Sequence, residues 1–239
     1  MAHTRTSSKV NLAERHAAPA TEAIDDYAKA IYGLQRQAAR PVATSALAER
    51  LGVAPSSVTA MLKRLDVLGL VRYERYHGVM LTPAGERLAL EVIRHHRLIE
   101  AFLADALEMP WDRVHDEAEV LEHYISEDLE RRIARRLGDP SLDPHGDPIP
   151  TQDLAMATDR TAALSGMRVG DIARFARVSD SDPTMLRYLA DQGIRPGAEL
   201  KVIGVQPFGG PVFVEVDGRT HALGGELAEK MRVEPEAGV

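Results

Sequence analysis

The chain has 239 residues, enough for two or three small domains, and its 44% hydrophobic content can fill real cores. Cysteine is absent, which excludes a disulfide framework and a thiolate zinc cluster, so a metal site must draw on His, Asp, Glu, Met or backbone oxygen. The net charge of −7 argues against indiscriminate polyanion binding but leaves room for a sequence-specific DNA reader, where local charge on the reading face decides. No apolar run approaches the ~20 residues of a membrane span. Residues 1–20, with Thr, Ser, Ala and scattered charges, lack the apolar core of a signal peptide and read as a disordered tail. The simplest location is the cytoplasm.

From Ala23 to about Gln37 the series Ile24, Tyr27, Ala30, Ile31, Leu34 has helical spacing, broken by Pro41. A second helix is expected from Thr44 or Ser45, as N-cap, to Leu51 and Gly52. After the turn Gly52-Val-Ala-Pro55, Ser56-Ser57 opens a third helix with Val58, Met61, Leu62 and Leu65 facing inward. Leu70 to Thr82 alternates around Gly78 and predicts a β-hairpin. Thr82-Pro83-Ala-Gly-Glu86 starts a long helix to about Leu107. A further helix is expected from Trp111 to Gly138. Asp139-Pro140, Asp143-Pro144 and Asp147-Pro148 then punctuate a loop. Short alternating runs at 171–178, 199–205 and 211–216, with a helix from Pro183 to Gln192, suggest a small β-barrel.

Helix, short turn, helix and basic hairpin make the layout of a winged helix-turn-helix, whose second helix enters the major groove. The candidate DNA contacts are Ala54, Pro55, Ser56, Ser57 and Thr59 at the start of that helix, Lys63 beyond them, and Arg72, Arg75 and Tyr76 on the wing. With few long base-reading side chains among them, shape, methyl and phosphate contacts are expected to supply much of the specificity. An ordinary three-helix domain with serines capping a surface helix is the plainer alternative, and the hairpin in the expected place argues against it.

The two helices that follow carry His96 and Glu100, then His115, Glu119, Glu122 and His123. At 100° per residue Glu119 falls near roughly 40°, Glu122 near −20° and His123 near 80° from His115, within about one quadrant. Imidazoles and carboxylates on shared faces, without sulfur, form a nitrogen/oxygen set suited to a divalent cation. A solvated acidic face is the bland reading, and four chelating groups on one face exceed what it requires. His-Glu-x-x-His is absent, so a metalloprotease has little support.

The order of elements resembles the metal-dependent repressors of the diphtheria toxin repressor and manganese transport regulator family. The marks are Asp26-Tyr27-Ala-Lys-Ala-Ile31-Tyr32, Ala48-Glu-Arg-Leu51, Pro55-Ser-Ser-Val-Thr59, Leu81-Thr-Pro-Ala-Gly85, His95-His-Arg-Leu98 and Val114-His-Asp-Glu-Ala118 with Glu122-His123. The resemblance runs from about Ile24 to Asp153 and more faintly through the last seventy residues. It implies a primary site of Asp26, Glu119, Glu122 and His123. It also implies an ancillary site of His96, Glu100 and His115, completed by oxygen ligands from the C-terminal domain. Among Ser179, Asp180 and Asp182, an ungapped alignment favours Asp182. Iron-type members place Met and Cys where this chain has Asp26 and Glu119, and hard carboxylates in place of sulfur favour Mn²⁺. Manganese-type members often have a further Glu where Lys29 stands, which puts their two-manganese arrangement in question here; Lys29 could pair with a neighbouring carboxylate instead.

The expectation is therefore a mainly α chain with small β parts: a tail at 1–20, a winged helix-turn-helix at 21–90, a metal-binding and dimerisation domain at 91–155, a linker at 156–165 and an SH3-like (FeoA-like) domain at 166–239. It would be a Mn²⁺-activated repressor of metal-homeostasis genes, with Fe²⁺ as the alternative ion and other divalent transition metals as substitutes in vitro. Its partners would be double-stranded operator DNA and a second copy of the chain, with no membrane and no small-molecule substrate. A cation held between Asp26 and the second domain would select the DNA-competent arrangement. Leu98, Phe102, Leu103, Ile125 and Leu129 are candidates for the dimer interface or for core. A hydrolytic metalloenzyme is disfavoured, because no nucleophile or phosphate loop accompanies the cluster. A winged-helix regulator answering a small organic ligand is the other alternative.

Overall fold

A computed structural model describes residues 19–38 and 40–236. The tail expected over 1–20 lies outside these residues, save Pro19 and Ala20, which begin the first helix. The chain divides into two compact units: one runs through His95 and includes Glu122–Glu130, and the other comprises His96–Leu121 and the chain from Arg131 onward.

In the first unit, α1 (Pro19–Ala38), α2 (Thr44–Leu51) and α3 (Pro55–Val67) precede a hairpin of β1 (Val71–Glu74) and β2 (Gly78–Leu81). Tyr27 and Ile31 of α1, Leu47 of α2, Val58, Leu62 and Leu65 of α3, and Val71 and Val79 of the hairpin form one core. Each such side chain contributes about 1.5–3 kcal/mol on burial. Gly52 ends α2 at φ +65°, a conformation that favours glycine, and its N–H reaches the Ala48 and Glu49 carbonyls. Neither Thr44 nor Ser45 is the N-cap of α2: Ala43 precedes the helix and makes no side-chain cap. Pro55 is already helical, one residue before the expected start, because its missing N–H costs nothing in the first turn. Val42 extends the wing by exchanging hydrogen bonds with Val79 at 2.8 and 3.0 Å. Thr82 caps the next helix, α4 (Pro83–Ala106), its hydroxyl accepting from the Gly85 N–H at 3.2 Å.

The single helix expected from Trp111 to Gly138 is two. α5 spans Val114–Leu121 and α6 spans Glu127–Arg136, with turns at Glu122–Tyr124 between them. Ser126 restarts the helix, its hydroxyl accepting from the Leu129 N–H at 3.2 Å and its carbonyl from the Glu130 N–H at 2.8 Å. The 100° projection therefore holds only to Leu121.

The second unit carries a six-stranded antiparallel sheet in the order β3-β8-β4-β5-β6-β7. Its strands are β3 (Ala162–Ala163), β4 (Ile172–Val178), β5 (Glu199–Val205), β6 (Val212–Val216), β7 (Arg219–Leu223) and β8 (Met231–Pro235), with helices α7 (Pro183–Asp191) and α8 (Gly225–Lys230). The small β domain is present, but among the described residues β3 and β7 do not pair, so the sheet is open rather than a closed barrel. Pairing begins at Ala162, opposite Val233, within the stretch read as linker. Phe175, Leu186, Leu189, Ile194, Leu200, Val202 and Val214 form the core of this unit, and Trp111 belongs to the same core. Of the dimer candidates, Leu98, Leu103 and Ile125 are buried within the chain, Phe102 is half-buried and Leu129 is exposed.

Candidate metal centres and DNA-reading face

In the first unit, α1 buries Tyr27 and Ile31 and so places the adjacent Asp25 and Asp26 at the margin of the core. The turn after α5 brings His123 to them. Its Nε2 lies 3.3 Å from Asp26 Oδ1 and 3.8 Å from Glu122 Oε1, and its Nδ1 lies 3.6 Å from Asp25 Oδ2. Ligand atoms of Asp26, Glu122 and His123 all fall within 4.8 Å of one another. The carboxylates of Asp25 and then Asp26 push His123 up to about 10, against the burial that would lower it. Glu122 is fully buried, and Lys29 Nζ donates to its Oε1 at 2.6 Å. Lys29 thus pairs with a neighbouring carboxylate, that of the candidate ligand Glu122.

The expected primary set is only partly assembled in this unit. Glu119 belongs to the other unit, where its Oε1 lies 3.8 Å from both His96 Nδ1 and His115 Nε2. There, Glu100 is fully buried and serves two groups. Its Oε1 lies 3.1 Å from His96 Nε2 and 3.4 Å from His115 Nδ1, and His115 Nδ1 lies 3.1 Å from Asp180 Oδ2. Its Oε2 faces His145 Nδ1 at 3.8 Å. A quartet and a triad result, overlapping at Glu100: His96, Glu100, His115 and Asp180, then Glu100, Asp143 and His145. Asp180, rather than Asp182, stands at the ancillary group. Asp182 is the N-cap of α7, and its Oδ1 accepts from the Thr184 N–H at 2.9 Å.

The electrostatics suit cation exchange. Asp180, then Glu100, push His115 up to about 10. Burial would raise Glu100, but the nearby imidazoles of His115, His145 and His96 outweigh it and hold the carboxyl well below the usual range. Burial, reinforced by Asp147 and Glu100, pushes Asp143 up to about 8. Burial would lower His145, yet Glu100 raises it to about 9. The raised His115 and His145 hold protons that a divalent ion would displace on binding to their ring nitrogens. Glu100 Oε2, Trp111 Nε1, His145 Nδ1 and His123 Nδ1 are buried without a hydrogen-bond partner, and all but the indole nitrogen are atoms of a kind that can ligate a metal. A sulfur-free set of carboxylates and imidazoles fits a hard or borderline divalent ion such as Mn²⁺ or Fe²⁺.

Asp25, Asp143 and His145 were not among the sequence candidates. In sequence the loop Asp143-Pro-His145-Gly146 shows only turn residues, and the histidine among them is the available signal. Gly146 permits the approach: at φ +88°, a Cβ there would lie 1.9 Å from the Ala176 carbonyl oxygen. His145 is held in turn by its carbonyl, which accepts from the Val178 N–H at 3.1 Å.

On the reading face, Ala54, Pro55, Ser56, Ser57, Lys63, Arg72, Arg75 and Tyr76 are exposed. Thr59 is half-buried, and its hydroxyl donates to the Pro55 carbonyl at 3.0 Å, so its proton is engaged within the helix while its oxygen can still accept. At the wing tip the Arg75 guanidinium lies 4.9 Å from the Tyr76 ring centroid.

A winged helix-turn-helix, carboxylate–imidazole clusters and a small open β domain together define a metal-responsive DNA-binding regulator. Three family profiles cover these parts in order: "Iron dependent repressor, N-terminal DNA binding domain" at 20–79, "Iron dependent repressor, metal binding and dimerisation domain" at 82–151, and "FeoA domain" at 162–235. The chain is 32% identical over 220 residues to the iron-dependent repressor IdeR of Mycobacterium leprae, covering 87% of this chain and 95% of that protein. It is 31% identical to the diphtheria toxin repressor of Corynebacterium diphtheriae, over 87% of this chain and 95% of that one. Among solved structures, a manganese-dependent transcriptional repressor in complex with manganese matches with a TM-score of 0.83 and 42% identity, covering 89% of this chain and 100% of that one. The manganese regulator SloR matches at 0.72 and 31% identity, over 89% and 98%. The chain belongs to the iron-dependent repressor family, the family of the diphtheria toxin repressor.

Proposed function

We propose that this family member is a Mn²⁺-activated transcriptional repressor that binds a palindromic operator as a homodimer in the cytoplasm and controls metal-homeostasis genes. The observation that carries the choice of ion is the donor set: Asp26, Glu122 and His123 in the unit bearing the winged helix contain no sulfur. Glu119 joins this set by its place in the motif alone. A bound ion supplies positive charge that neutralises the carboxylates and links their side chains. Asp26 belongs to α1, whose Tyr27 and Ile31 share one core with Val58 and Leu62 of the reading helix, so fixing Asp26 against Glu122 and His123 steadies the core that supports α3. The ion favours the DNA-competent state only by the margin with which it binds that state more tightly. His96, Glu100, His115 and Asp180 are the proposed ancillary ligands, with Asp143 and His145 adjoining them.

Fe²⁺ is the second reading, favoured by the relatives named as iron-dependent repressors. Operator binding measured by fluorescence anisotropy at buffered free Mn²⁺, Fe²⁺, Co²⁺ and Zn²⁺ separates the two. Tight binding with Mn²⁺, lost on chelation and abolished by His123→Ala with helicity intact, is the expected result. Metal-independent operator binding would overturn the proposal.

A further inference from the structure

Trp111 is the only tryptophan in the chain, is 3% exposed and precedes α5, yet it belongs to the core of the β domain. Its carbonyl accepts a hydrogen bond from His145 Nε2 at 2.7 Å. Its indole stacks on the same imidazole, with centroids 5.7 Å apart and planes 23° from parallel. The Arg195 guanidinium, from the loop between α7 and β5, lies 4.4 Å from the indole centroid. One residue therefore holds His145 by backbone and by ring at once.

The carbonyl acts as a tautomer lock. Nε2 must carry a hydrogen to reach the Trp111 oxygen, so Nδ1 is the ring atom offered to Glu100 Oε2 at 3.8 Å. Both atoms are buried and neither is hydrogen-bonded. Partners of this kind, outside the ligand shell, orient a metal-binding imidazole and raise its basicity. The indole stack fixes the ring plane, and Arg195 and the core around Trp111 fix the indole.

We propose that Trp111 is a positioning residue that presents His145 Nδ1 to a divalent cation at Glu100 and Asp143, and through which occupancy of that group is felt in the β domain. This deepens the metal-dependent reading and rests on it. Any shift of His145 toward an ion is passed to the indole, and from the indole to Arg195 and the core residues of the sheet. All of these residues lie in one unit. The stack contains no ligand atom of Asp26, Glu122 or His123, so it acts on one group of sites and not the other.

The test uses the full chain, Mn²⁺ calorimetry and tryptophan emission. Wild type should bind Mn²⁺ at both groups, with a saturable change in Trp111 emission that His145→Ala abolishes and His123→Ala preserves. Trp111→Ala should weaken the His145-containing group by about 10–100-fold while leaving the Asp26 group unchanged. Trp111→Phe, which keeps a stacking ring, should restore most of the affinity, and Arg195→Ala should give a smaller loss of the same kind. Should Trp111→Ala fail to fold, Trp111→Phe and Arg195→Ala carry the test. Equal affinity in all the folded variants, or an emission change that survives His145→Ala, overturns this inference alone. Absence of Mn²⁺ binding to wild type overturns the functional reading itself.

Discussion

Replacing Lys29 with Met separates what the ammonium does for the fold from what it does to the cation. Its Nζ lies 2.6 Å from Glu122 Oε1, with Lys29 21% exposed and Glu122 not at all. At an effective dielectric of ~20, unit charges at that distance attract by roughly 6 kcal/mol. The cost of taking both charges out of water offsets most of this. Removing the lysine alone leaves the carboxylate buried and is different, costing about 3–5 kcal/mol where both partners are fully buried. Water reaches Lys29, so the expected loss is about 2–3 kcal/mol, a fall of roughly 10 °C in the melting temperature of that unit with chelator present. Mn²⁺ should recover part of this, because the ion supplies the charge that Lys29 had given. Recovery of about 1.4 kcal/mol is a tenfold gain in affinity. Thermal unfolding by circular dichroism, in chelator and at stepped free Mn²⁺, reads the first effect; calorimetry reads the second. Unchanged melting in chelator together with unchanged Mn²⁺ affinity would refute the reasoning.

Stability of the chelated protein should depend on pH through the raised imidazoles. His115 and His123, each pushed up to about 10, contribute stability that is fully present below pH ~6.5 and lost as pH rises through their folded values. The melting temperature in chelator should therefore decline from neutral pH toward pH 10, while Mn²⁺ affinity rises over the same interval as the protons leave. A flat profile in both would count against these histidines as the proton holders. Lys63→Ala should weaken operator binding similarly across operator variants and lower the salt slope by about 1, as a phosphate contact does. An unchanged slope in a salt titration would take Lys63 off the phosphate face. Leu62→Ala, at a fully buried core position, should cost about 2–5 kcal/mol in urea unfolding with the metal ligands untouched. A loss under 1 kcal/mol would mean that the α3 core is looser than its burial implies.

The winged helix was legible because its helices announce themselves locally. Tyr27, Ile31, Val58, Leu62 and Leu65 follow the helical period, and Gly52 stands where α2 stops. The C-terminal sheet was legible only where strands alternate cleanly. β7 buries His221 and Leu223, and an inward histidine conceals the alternation. α8, six residues long, carries too little pattern to be seen. The ligand residue types were all readable, but their grouping depends on contacts far apart in sequence. Asp180 and Asp182 are equal as letters; only the geometry of α7, which needs Asp182 as its cap, leaves Asp180 to face His115. His145 was hidden for the same reason, since nothing local ties its loop to Glu100.

The break after Leu121 is the difference with the greatest chemical consequence. Consecutive residues on an α-helix point about 100° apart, so in a continuous helix Glu122 and His123 would stand at the two edges of one quadrant-wide face. Leaving the helix at this point lets neighbouring residues turn toward one partner. Glu122, His123 and the Asp26 carboxylate on α1 then offer ligand atoms within a single 4.8 Å group. The cost is one interrupted helix, which Ser126 limits by capping the start of α6. A substitution that restored helix through Glu122–Ile125 would be expected to improve local propensity while separating the two ligands. Chelated-state stability and Mn²⁺ affinity should then move in opposite directions, as they do for Lys29→Met, but with the fold strengthened and the site weakened.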